Sequence, residues 1–253
     1  MHGIRKVVAW ATASALALVV SSTTADAQMS INNEWRYSVT PYAWIAGLSG
    51  DVGIGRLDSD VSLSPGDILD KLDFALMGQA EAHKGPWMGA IDAMYMKLGD
   101  ARAFAIRGDT GALSLTQHQT IVSPVGGYTI GNQKWSVDFL GGLRYWDIST
   151  SLDVSRPRLT NERSDSQRWL DATGGARFGW IPLDKVRFSI GGDAGGGGSR
   201  GTWQGYSTLS YDLWPRWALG AMYRVLGVDY DKDNFMYHTR TKGFAATLNY
   251  RTW

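Results

Sequence analysis

Cysteine is absent from these 253 residues. That excludes disulfides, thiolate chemistry and a lipidated N-terminal cysteine. Long apolar runs are nearly absent too. One such run, 7–20, lies near the start, and no later run reaches the roughly 20 residues a membrane-spanning helix needs. An excess of either charge is also lacking: 25 Lys and Arg stand against 24 Asp and Glu. A nucleic-acid binder needs a concentrated basic face, so that class is set aside.

What is present begins with an export signal. Arg5 and Lys6 precede the apolar run 7–20, and Ala25-Asp26-Ala27 offers a small-x-small cleavage site before Gln28. The run is too short to anchor, so removal of 1–27 is expected. That takes away Arg5, Lys6 and Asp26 and leaves 23 basic and 23 acidic side chains. The mature chain, about 226 residues long, suits a single domain. The full 253-residue sequence is rich in glycine, 31 residues or about 12% against a usual ~7%. It is also rich in tryptophan, at 12 residues.

After a short polar lead, 28–34, apolar and polar residues alternate almost to the end. In 135–146, Trp135, Val137, Phe139, Leu143 and Tyr145 share one face, and Ser136, Asp138, Arg144 and Trp146 share the other. Successive strand residues point to opposite faces, so the period marks strands rather than helices. Strands are predicted at 35–47, 74–84, 87–98, 112–130, 134–149, 169–181, 185–196, 203–214, 217–229 and 237–252. Short turns at 84–86, 131–133, 182–184 and 214–216 alternate with longer polar loops at 48–73, 99–111, 150–168, 197–202 and 230–236. The pattern predicts an all-β fold over 35–253, a single antiparallel transmembrane β-barrel of ten strands. Eight and twelve are the neighbouring counts that shifted boundaries would give. Both termini and the short turns would face the periplasm. Trp35, Trp87, Trp135, Trp169, Trp203 and Trp217, near strand ends, are expected in interfacial girdles.

The opposite, polar face supplies the candidate site. Gln79, Glu81 and His83 share it with Asp92, Asp138, Arg144, Asp171, Arg177, Arg187, Asp193, Arg224 and Arg251. Arg or Lys on lipid would cost ~2–4 kcal/mol at the midplane, so these charges are assigned to the lumen. Arg144, Arg177 and Arg224 are expected to face Asp138, Asp171 and Glu81. Ten strands leave a narrow interior, so a network that largely fills the bore is favoured over a conducting lining.

No Gly-x-Ser-x-Gly elbow and no His-Glu-x-x-His helix occur. His83 beside Glu81 reads as a satisfied lumen histidine, and neither catalysis nor a cofactor is expected. Asp229–Asn234 begins like a calcium loop, but Asn234 stands at the glycine position and Arg240 at the final acidic one. It reads as an acidic external loop. Gly191–Gly198 lacks a following Gly-Lys-Ser/Thr and reads as a strand end with room for neighbours. Within 48–73, residues 67–72 after Pro65 suggest a short helical turn that tucks into the barrel mouth.

Thr40-Pro41-Tyr42-Ala43-Trp44 with Gly47–Gly50, Asp67–Asp70, Leu72–Phe74, the 191–203 stretch and Tyr223-Arg224 with Asp229-Tyr230 resemble a family of small Gram-negative outer-membrane barrels. The resemblance implies fold and location, not a substrate. Trp253, the final residue, departs from the usual pattern: it is out of phase with Phe244, Leu248 and Tyr250. The expectations are an integral protein of the cell outer membrane, porin-like, in a structural or narrow small-solute passage role. Its partners would be outer-membrane lipids and the assembly machinery. A barrel enzyme acting on lipid or peptide, and a soluble periplasmic β-protein binding an apolar ligand, are the alternatives. The sequence fixes no oligomeric state.

Overall fold

The computed structural model describes residues 33–54, 57–106, 109–156, 159–232 and 235–253. The expected signal segment 1–27 and most of the expected lead 28–34 lie outside them. The elements are β1 (Arg36–Ile54), β2 (Leu57–Leu63), α1 (Pro65–Asp70), β3 (Leu72–Lys84), β4 (Trp87–Ile106), β5 (Asp109–Gly131), β6 (Trp135–Arg156), β7 (Leu159–Leu183), β8 (Val186–Gly197), β9 (Gly201–Trp214), β10 (Trp217–Lys232) and β11 (Phe235–Arg251). Each strand from β3 to β11 pairs antiparallel with the next, and β1 pairs with both β3 and β11. Ten strands thus close a barrel, as predicted, and β2 is an eleventh strand added to the upper part of β1.

Local chemistry sets the turns. In the β3–β4 turn, Gly85 takes φ 58°, a conformation suited to glycine in a two-residue hairpin. In the β5–β6 turn, the Asn132 side chain accepts hydrogen bonds from the backbone N–H groups of Lys134 and Trp135. The helical turn predicted after Pro65 is α1. Ser64 and Asp67 form a reciprocal capping box, Pro65 opens the helix, and Ile68 is buried. Those Ser64 hydrogen bonds hold the exposed Asp67 carboxyl below its ordinary range.

At the opposite end from the short turns, the loops expected at 99–111 and 150–168 are largely strand. β4 and β5 stay paired from Trp87 with Tyr128 to Ile106 with Asp109, and β6 and β7 from Trp135 with Trp180 to Arg156 with Leu159. The stretch 150–168 is mostly polar and so lacks the apolar alternation that reveals a strand.

The outer face carries Trp35, Trp87, Phe139, Leu170, Phe178, Leu209, Leu219, Phe244 and Leu248, all exposed. So much contiguous exposed apolar surface fits lipid rather than water. The band ends upward at outward ion pairs: Lys97–Asp73 at 3.3 Å and Arg168–Asp147 at 2.8 Å. The nine steps along the strand from Asp147 to Arg156 would carry an untilted strand roughly 30 Å further.

One girdle assignment is corrected. Trp169 is buried, not lipid-facing. It shares parity with Asp171 and so points into the bore.

Candidate functional site: a two-part barrel bore

The polar faces meet inside the barrel, and the bore divides by depth. Nearest the short turns is an open cavity of about 510 Å³, whose lining includes Arg36, His83, Arg177, Arg187, Arg251 and Trp253. Two tiers of guanidinium contacts lie within and above it. In the lower tier, Arg177 on β7 donates Nε to Asp138 at 2.7 Å and its other nitrogens to Glu81 on β3. Glu81 also meets His83 at 3.1 Å, and Thr129 donates to Asp138 at 2.7 Å.

In the upper tier, Arg144 on β6 reaches Asp193 at 2.7 Å, Thr202 at 3.0 Å and Ser123 at 3.3 Å. Arg224 on β10 reaches Asp92 on β4 at 2.9 Å, Tyr42 at 3.1 Å and Gln204 at 2.6 Å. The contacts to Asp193, Thr202, Asp92 and Tyr42 join strands that are not neighbours in the wall, whereas those to Ser123 and Gln204 join adjacent strands. Arg144 and Arg224 are 1% and 2% exposed. Charges so placed persist only where hydrogen-bonded partners offset desolvation.

The predicted lumen residues are thus brought together, with two changes of partner and one omission. Asp171 does not face an arginine. Although its Cα lies opposite that of Arg144, its two oxygens accept from the Ser199 N–H and hydroxyl, both at 2.8 Å. It therefore caps the β8–β9 turn, and Arg144 pairs with Asp193 instead. The omission is Asp212, which is bound by both Arg187 at 3.1 Å and Arg251 at 2.7 Å. Its alternation with Ser210 and Thr208 along β9 was the signal available.

Above the guanidinium tiers the bore turns apolar, which corrects the expectation of a charged lumen throughout. Met77, Met94, Ile121, Trp146, Ile148, Trp169, Leu226, Val228, Tyr230, Phe235 and Tyr237 form one buried cluster. They come from β3, β4, β5, β6, β7, β10 and β11, so the cluster reaches across the bore. Trp146 stacks on Trp169 at 5.5 Å, and Trp169 on Tyr230 at 4.1 Å between centroids. Residues 235–237 lie on an extended strand rather than wholly in the predicted loop 230–236, and Phe235 and Tyr237 join this cluster.

Other motifs resolve simply. Asp229 meets His238 at 2.9 Å and Asp231 pairs with Arg200 at 2.8 Å, so two carboxylates of this acidic stretch already have side-chain partners. No group of three potential metal ligands occurs among the described residues. The glycine stretch is β8 and the turn after it, where a side chain at Gly195 would strike the Ala172 carbonyl. His118 meets the Tyr95 hydroxyl at 2.9 Å on the outer face. Trp253 turns to the bore mouth, with the Arg36 guanidinium 5.4 Å from its ring centroid and His83 beside it.

No protein-family model matches the sequence, and no curated protein does. Solved structures do match. The outer-membrane protease OmpT from Escherichia coli gives a TM-score of 0.52 at 8% identity, over 89% of this chain and 98% of that one. The translocator domain of the autotransporter NalP from Neisseria meningitidis gives 0.45 at 12% identity, over 88% and 90%. Ail, the attachment invasion locus protein of Yersinia pestis, gives 0.32 at 11% identity, over 86% and 97%. At such identities the likeness concerns architecture, and the OmpT match carries it. With its lipid-facing belt and closed ten-strand wall, the chain has the fold of an outer-membrane β-barrel protein.

Proposed function

We propose that this is an integral outer-membrane barrel, exported by its signal segment, whose bore is closed in its outer half. Its role is structural rather than that of an open pore. The observation that carries this reading is the Trp146–Trp169–Tyr230 stack, set within an apolar cluster drawn from most of the wall. Ions cannot enter such a stack without shedding water, which costs several kcal/mol each. The guanidinium tiers beneath it brace opposite walls, and the long β4–β7 wall is presented outside the cell.

The test is conductance in a planar bilayer. The wild-type barrel is expected to insert without steady current, and the Trp146→Ala/Trp169→Ala double variant to conduct. Steady single-channel current from the folded wild type would overturn closure.

A further inference from the structure

The periplasmic half of the bore is a cavity whose charges do not balance. At the lower tier, Arg177 sits between Glu81 and Asp138, and is matched by them with one acid in excess. In the upper tier, Arg144 with Asp193 and Arg224 with Asp92 balance. The mouth differs. Arg187 and Arg251 share the single carboxylate of Asp212. Arg36 has no carboxylate partner among the described residues; its guanidinium rests over Trp253, and its Nε is buried without an acceptor. Among the ion pairs of the described residues, the mouth therefore holds two more guanidinium groups than side-chain carboxylates, along an arc of wall from β8 through β9, β10 and β11 to β1.

A second observation lies at the inner end of the cavity. Arg224 lines it, is 2% exposed, and has an Nε with no acceptor despite four other contacts. Buried donors are nearly always satisfied, so the unpaired Nε leaves Arg224 with spare donor capacity beside the cavity. Guanidinium forks suit carboxylate and phosphate oxygens in particular. Around them Ser38, Thr40, Ser189, Thr208 and Asn249 add hydroxyl and amide groups to the lining.

We propose that this cavity is a periplasm-facing binding pocket for a small anion bearing a phosphate or carboxylate group. Arg36, Arg187 and Arg251 form its entrance. The pocket extends the closed-barrel reading but stands on separate residues: conductance tests the aromatic stack, whereas binding tests the arginine arc. A conducting barrel that still binds would fault the first alone.

The experiment is isothermal titration of the folded barrel in detergent with inorganic phosphate, and separately with citrate, at constant ionic strength. Heat-modifiable gel migration verifies that each variant is folded. Saturable binding of at least one probe is expected, weakened tenfold or more by Arg36→Gln and by Arg187→Gln. Asp212→Asn, which removes the shared carboxylate, should instead tighten binding. Arg240→Gln on the outer wall should leave it unchanged. Absence of saturable binding by both probes overturns the proposal. So does binding that the two mouth arginine variants leave unaltered, or that Arg240→Gln weakens equally.

Discussion

Trp169 and Tyr230 lie nearly parallel, 4.1 Å apart between ring centroids, although β7 and β10 are separated in the wall by two strands. Their contact crosses the bore rather than running along it. Truncating a buried Trp to Ala typically costs ~3–5 kcal/mol. Trp169→Ala is expected to fall in that range, and Trp169→Phe well below it. Urea unfolding of the barrel in detergent, followed by tryptophan fluorescence, measures both. Equal, negligible losses would mean the stack does not support the fold.

Burial separates two arginines that look alike in sequence. Arg144 is held inside by Asp193, Thr202 and Ser123. Arg168 pairs with Asp147 outside, with its side chain 65% exposed. Arg144→Ala should cost ~3–5 kcal/mol, because it leaves a carboxylate buried and unpaired. Arg168→Ala should change stability by less than ~1 kcal/mol. The same unfolding assay ranks them, and a reversed order would invalidate the face assignment.

On the lipid face, Phe139 and Leu219 are more than half exposed. Phe139 is nearer mid-belt, and Leu219 lies two residues from the interfacial Trp217. Arginine at the midplane costs ~2–4 kcal/mol and less toward the interface. Phe139→Arg should therefore destabilise more than Leu219→Arg. If neither variant loses stability, the belt does not face lipid.

Orientation is open to labelling on intact cells. An epitope tag inserted between Arg156 and Leu159, or between Lys232 and Phe235, should bind antibody. A tag within 132–134 should bind only after permeabilisation. The opposite labelling would invert the barrel.

The α1 cap carries a small acid dependence. Because Asp67 has its carboxyl lowered in the fold, its contribution is full above the ordinary carboxylate range. It is lost as pH falls through the lowered value. Protection of the Ile68 amide against hydrogen exchange should decline over that acidic window, and Asp67→Asn should abolish the decline. An unchanged decline in the variant would assign it to another group.

The ten-strand wall, the short turns and the parity of Asp138, Arg144, Arg177 and Arg224 were legible because lipid and bore impose opposite demands on alternate residues. The extensions of β4–β7 and strand β2 were not: they fall in stretches read as connecting loops, and β2 is only seven residues long. Partner choice was legible only in part. Asp138 and Arg177 are direct cross-strand neighbours, whereas Arg144 with Asp193 and Arg224 with Asp92 depend on which strands face each other across the closed barrel. Trp169 was misplaced by proximity to a strand end, while its parity with Asp171 already pointed inward.

The seam between β1 and β11 has a kinetic consequence. The Tyr37 N–H donates to Thr252 Oγ1 at 3.0 Å, and Ser38 lies opposite Arg251. The first of these contacts joins residues 215 apart in the chain, and such distant contacts are slow to form. The neighbouring hairpins can zip locally, but the seam must wait for β11 to meet β1. Closure is therefore expected to be the slow step of assembly, leaving β1 and β11 as open edges able to pair with another chain until it occurs.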